Sequence, residues 1–287
     1  AILFSFIIQA VSYEYRSKKG NFLGQNVYDV FLLINGIVGV VLIGVAVGTF
    51  FTGADFRVDK ANLYDDLSMP IISTWQNPWL DWRNLLLGIT LFFLARVQAL
   101  LYFINNIDSE TIYTRARRQL LYNAVPFVVF FLLFVVATLC ADGYQFNSVS
   151  GEISVRAYKY FYNLMEMPWV LFLFLLGVAG VLYAIVRSVF FKRWIYGIWF
   201  SGIGTIFVVL SLFFLAGYNN TPYYPSAVDM QSSLTIYNSS SSLFTLEVMS
   251  VVSLVLPVVA GYIFFAWRAM DRKAITADEM KDDDHIY

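Results

Sequence analysis

The sequence predicts an all-α polytopic membrane protein, and three observations predict it. Of its residues 59% are hydrophobic and only 14% charged, where a soluble domain carries about 25% charged residues. Apolar runs of roughly the 20 residues that a helix needs to cross a bilayer recur along the chain. Lys and Arg are denser in every second connecting segment than in the segments between them. Seven spans are expected, the first of them partial.

The first span covers residues 1 to about 15. Its apolar part ends at Glu14, too early to cross a bilayer, and it lacks the basic start of a signal peptide. It reads as the inner half of a helix whose start is missing, so a chain truncated at its N-terminus is expected. Gln9 lies within it, and Arg16, Lys18 and Lys19 close it. The second span, about 27–51, holds Gly36, Gly39, Gly44 and Gly48. Gly44 and Gly48 form a GxxxG pair, which lets another helix approach closely. Asn35 is expected to bond a neighbouring backbone group.

An aspartate-rich loop, 52–83, ends in TWQNPWLDW, three tryptophans placed like an interfacial belt. The third span, about 84–106, carries Arg96 near its middle and Gln98 beside it. The fourth covers about 120–141. DGYQFNSVSGEISV then alternates like strands, and 156–167 is amphipathic. The fifth span, about 168–186, turns through FFKRW into the sixth, about 194–216. An uncharged, Ser-rich loop, 217–242, leads to the seventh, 243–267. Glu247 sits one turn inside that span. Pro257 falls mid-span, where the backbone bond it removes predicts a kink. Arg268, Arg272 and Lys273 stop the run. The whole, 1–287, is expected to be one transmembrane domain with a terminal tail at 268–287.

Segments 14–26, 107–120, 187–193 and 268–287 hold three or four Lys and Arg each. The alternate segments 53–83, 141–167 and 217–242 hold three, two and none. The excess of basic residues marks cytoplasmic loops, which places the C-terminus in the cytoplasm. Arg96 is the one basic residue left inside the membrane.

The residue inventory excludes several kinds of chemistry. A single cysteine, Cys140, allows no internal disulfide and no iron–sulfur cluster. The single histidine, His285, lies in the tail, so no intramembrane histidine exists to ligate a haem. There is no phosphate loop and no Ser/His/Asp set, and a net charge of −1 gives no call for nucleic acid. Four intramembrane polar residues remain as candidates for a proton path or for subunit or cofactor contact: Arg96, Glu247, Gln9 and Gln98. Arg96 is either a structural or snorkelling cation or a contact to a propionate, a quinone or a proton path, because a mid-depth guanidinium is costly unless paired or hydrated. Glu247 is either an interfacial carboxylate capped by hydroxyls or a relay or subunit-contact group. Gln9 reads as a structural hydrogen-bonding residue.

Several blocks resemble a known family. They are Ser233-Leu234-Thr235, Ser240-Ser241, Thr245-Leu246, Val248-Met249 and the following proline, tyrosine and tryptophan, with ITADEM and a terminal HIY beyond. YEYRSK at 13–18 and the RAR at 115–117 fit the same pattern. On these residues the chain resembles subunit II of cytochrome bd quinol oxidase. The resemblance implies nine spans, two four-helix bundles and a peripheral helix, of which the seven here are the third to ninth. It implies a haem-bearing subunit I with two haems b and one haem d, and oxidation of a quinol coupled to reduction of O2 to water. Subunit II would be haem-free, with a structural quinone and small accessory subunits as further implied associates. Where some relatives place an arginine near the end of the third helix, this chain has Gln9. Two other classes compete: a secondary transporter, which would show paired broken helices around a polar midplane site, and a haem-free membrane anchor of another quinol-linked complex.

Overall fold

The computed structural model describes residues 2–18, 23–58, 71–73, 81–191, 194–270 and 275–276. Its helices are α1 (Ile2–Tyr15), α2 (Gln25–Thr52), α3 (Trp82–Asn106), α4 (Glu110–Leu139), α5 (Lys159–Glu166), α6 (Pro168–Phe190), α7 (Gly197–Gly217), α8 (Leu243–Ser253) and α9 (Leu256–Met270). Six stretches are long and apolar enough to cross a membrane: α2, α3, α4, α6, α7 and the α8–α9 pair taken together. The α1 helix is apolar but shorter, as the sequence predicts. The protein is an all-α polytopic membrane protein.

The expected spans hold within a few residues, with one informative exception. The fourth helix starts at Glu110, about ten residues before the predicted span, because Arg115, Arg117 and Arg118 are good helix formers and extend it beyond the apolar run. Arg117 Nε donates to Val189 O at 2.7 Å, which ties that extension to the end of α6.

α3, α4, α6 and α7 form a bundle around two apolar clusters. Phe51, Leu87, Phe134, Val170 and Leu215 make one; Val97, Leu101, Leu120, Phe127 and Ala184 make the other. α2 packs along α3, and α1 packs on α2. Lipid is as apolar as leucine, so helices in a membrane associate through close packing and polar bonds. The glycines supply the first. A Cβ on Gly44 would stand 2.5 Å from Gly88 Cα, and one on Gly177 would stand 2.7 Å from Gly204 O. The GxxxG pair of α2 therefore meets α3, with Gly48 against Asn84.

Pro257 acts as predicted. The helix breaks at Leu254 and Val255, whose N–H groups turn back to Val251 and Val252 O, and α9 resumes beyond. None of the span Leu243–Ala269 is buried against the rest of the described chain. Its tether is a short parallel pairing of β3 (Ile107–Asp108) with β6 (Ile275–Thr276). This places the end of α9 on the same side as the α3–α4 turn.

The opposite side carries a cap. β1 (Phe56–Val58) pairs with β2 (Ile71–Ser73), and β4 (Gly143–Phe146) with β5 (Ile153–Arg156), both antiparallel. The Ser-rich loop runs over them. Ser232 Oγ accepts from Val58 N at 3.1 Å, Gln231 Oε1 from Ile153 N at 3.1 Å, and Asn220 O from Phe146 N at 2.7 Å. Ser226, Ser233 and Thr235 are buried there. The serines let the loop fold inward, because their hydroxyls satisfy backbone groups that would otherwise be stranded, as Ser226 Oγ and Ser233 Oγ do.

Candidate functional site

Gln9 and Asn35 join α1 to α2. Asn35 Nδ2 donates to Gln9 Oε1 at 2.7 Å, and Ser5 Oγ donates to Asn35 Oδ1. The sequence led us to expect a backbone partner for Asn35. Its partners are side chains instead, because Gly39 leaves the amide and Ser5 room between the helices. The structural reading of Gln9 fits this geometry.

Gln98 Nε2 donates to Thr205 Oγ1 at 2.9 Å, which links α3 to α7. Its Oε1 is buried without a protein partner. Arg96, two residues earlier, points outward from the bundle and is exposed. Its Nε donates to Asn123 Oδ1 at 2.6 Å, its guanidinium lies 5.7 Å from the Phe92 ring centre, and none of the ion pairs among the described residues includes it. Glu247 is exposed on α8. The fold thus disperses the four candidates: Gln9, Gln98 and Arg96 each join a different helix pair, and Glu247 joins none among the described residues. His285, Arg272, Lys273, Trp75 and Trp79 lie outside the described residues.

Sequence reasoning missed a second polar centre, beneath the cap. Lys159, on α5, is buried, with Nζ donating to Asn219 O at 2.9 Å. Asn163 Nδ2 donates to Thr221 Oγ1 at 2.7 Å and to Leu215 O at 3.1 Å. Tyr160 Oη donates to Phe51 O at 3.1 Å. Burial pushes the Lys159 ammonium down to about 8; Arg156 adds to this and Glu166 opposes it. Glu166 is held below the usual carboxylate range, by an Asn219 hydrogen bond first and by Arg156 as well. The lysine's partner lies 60 residues along the chain, so only the amphipathic pattern of 156–167 hinted at this centre.

A cavity of about 140 Å³ opens among α2, α3, α4, α6 and α7. Its walls are apolar, Phe51, Leu91, Phe127, Phe131 and Val208 among them, with Thr90 and Thr205 its polar members. Both hydroxyls are spent, on Leu86 O and Ser201 O. The walls fit an apolar chain such as an isoprenoid tail. They offer no free donor to a quinone headgroup. Among the described residues there is no histidine, and no group of three His, Cys, Asp or Glu side chains is placed to hold a metal ion.

These features define a polytopic α-helical membrane protein whose intramembrane polar groups mostly join its own helices. The family model for cytochrome bd terminal oxidase subunit II matches residues 1–270, and the chain belongs to that family. It is similar to the cytochrome bd-I ubiquinol oxidase subunit 2 of Escherichia coli (strain K12), 26% identical over 306 residues that cover 99% of this chain and 75% of that protein. It is also similar to a probable cytochrome oxidase subunit 2 of Haemophilus influenzae, 25% identical over 94% of this chain and 71% of that one. Membership implies a subunit I partner.

Proposed function

We propose that this chain is the haem-free subunit II of a cytochrome bd-type terminal oxidase in a bacterial inner membrane, with its C-terminus in the cytoplasm. In this reading the partner subunit I holds two haems b and haem d. The complex oxidises a quinol, reduces O2 to water and takes the protons from the cytoplasm, so turnover builds a proton gradient without a pump. The observation that carries the reading is the subunit II match across residues 1–270. This chain's part is structural support and routing. Arg96 and Glu247 contact partner subunits or lipid-borne groups, the terminal tail from 268 onward faces the cytoplasm, and the apolar cavity accepts the tail of a structural quinone. Small accessory subunits complete the complex.

The test is a reduced-minus-oxidised spectrum of the complex purified through this chain, expressed from the full-length gene. A haem d band in the red with a second large subunit is the expected result. Absence of haem would overturn the reading in favour of a transporter or the membrane anchor of another quinol-linked complex.

A further inference from the structure

The cap holds a second cavity, of about 360 Å³, where α7 ends. Small-molecule sites span about 300–1,000 Å³. Its walls come from β4 (Phe146), from the turn that leaves α7 (Tyr218 and Asn220) and from the Ser-rich loop (Thr235 and Tyr237). None of the residues lining it is charged.

The walls are fixed from behind. Phe146 N donates to Asn220 O at 2.7 Å, Lys159 Nζ to Asn219 O at 2.9 Å and Asn238 N to Thr235 Oγ1 at 3.1 Å. Asn219 and Asn220 both take the left-handed backbone, with φ of 57° and 54°, which asparagine visits more readily than most residues. The Tyr237 ring stacks on Phe146, with centres 5.2 Å apart and planes 24° from parallel. The Asn220 side-chain amide is exposed, and no hydrogen bond among the described residues engages it.

This lining selects a class of ligand. A phosphate or carboxylate calls for arginine or lysine, and the Lys159 ammonium is directed to Asn219 O behind the wall. A quaternary ammonium calls for a cage of open aromatic faces, and Phe146 and Tyr237 already cover one face of each other. A neutral ring edged with hydroxyls fits best. Its C–H face lies on an aromatic ring, and neighbouring hydroxyls meet an amide that both donates and accepts. Trp169, Phe214 and Tyr218 carry ring contacts from the capped ends of α6 and α7 to the cavity, at 4.7 and 5.2 Å between centres. Such rings gather at the headgroup level of a bilayer, so a lipid-borne sugar and a free one can both reach the cavity.

We propose that this cavity binds a neutral sugar ring, held by the Asn220 amide and the Tyr237 ring. The cavity lies within this chain, so its test stands apart from the haem spectrum.

The complex purified through this chain is placed in nanodiscs of phosphatidylethanolamine and phosphatidylglycerol, because maltoside detergents carry the very sugar to be tested. Saturation-transfer NMR reads binding of free maltose, and native mass spectrometry reads retention of a monoglucosyl diacylglycerol added to the disc. Binding in the first arm identifies a free sugar as the ligand, and binding in the second arm alone identifies a lipid headgroup. Asn220→Gly deletes the amide and keeps the left-handed backbone available. It should weaken binding about five-fold, and Tyr237→Ala, at an exposed ring, should weaken it by a similar factor. Binding in neither arm, displacement by choline or inorganic phosphate, or unchanged binding in both variants overturns the proposal.

Discussion

Arg96 is held to Asn123 across α3 and α4 by a single 2.6 Å bond from Nε to Oδ1, and the rest of its guanidinium faces out of the chain. Asn123 is fixed in turn, with Nδ2 donating to Gln119 O at 2.7 Å. A basic side chain at mid-depth facing lipid costs about 2.5–3.5 kcal/mol. If a partner meets Arg96, Arg96→Leu should lower the melting temperature of the assembled complex and reduce the recovery of subunit I, by an effect on the order of 3 kcal/mol. The same change in the isolated chain should be neutral or stabilising. Equal shifts in chain and complex would remove the contact role.

The Gly44–Gly88 approach leaves no room for a side chain on either helix. Gly44→Ala should separate α2 from α3 and cost about 1–3 kcal/mol. Gly36→Ala, at a glycine with open space around it, serves as the control and should be near neutral. Parallel thermal unfolding of both variants checks the contrast.

Lys159 gives the cap a pH dependence with a definite sign. Its folded-state affinity for a proton is lowered to about 8 from 10.5. Between those values the unfolded chain holds more protons, so stability rises with pH across that window. The burial penalty is fully present below it. Lys159→Met should flatten the slope between about pH 8 and 10.5, by at most about 3 kcal/mol and, with solvent screening of a partly solvated ammonium, by on the order of 2 kcal/mol. A slope unchanged in the variant would show that other groups cause it.

Gln9 and Asn35 should couple weakly. Polar contacts between membrane helices average about 0.6 kcal/mol in double-mutant cycles. A cycle of Gln9→Leu and Asn35→Leu should return a coupling near that value, with Asn35→Leu the costlier single change because Ser5 also loses its partner. A coupling of several kcal/mol, or a specific loss of turnover at normal stability, would assign Gln9 a functional role.

Most of the architecture was legible because a bilayer imposes a length and a polarity that a single sequence displays. The spans, the break at Pro257 and the strand alternation in DGYQFNSVSGEISV needed only local rules. Gln9, Gln98, Arg96 and Glu247 could be picked out as polar residues at depth, but their partners could not. Asn123 carries no signal in the sequence, and only the packing of α4 beside α3 makes it the partner of Arg96. Lys159 looked like the polar face of an amphipathic segment until the loop after α7 folded over it.

By itself the sequence determined that the chain is a polytopic helical membrane protein and, within a few residues for all but the start of the fourth helix, where its spans lie. Hydropathy and charge act residue by residue against a fixed solvent, so they can be read along the chain. Only the tertiary structure decided which polar atoms meet and which remain unsatisfied, as at Ser188 and Ser201, and that the last span stands apart from the others. Those outcomes depend on helix rotation and on approach distances of a few ångströms, set by where Gly44, Gly88, Gly177 and Gly204 allow backbones to touch.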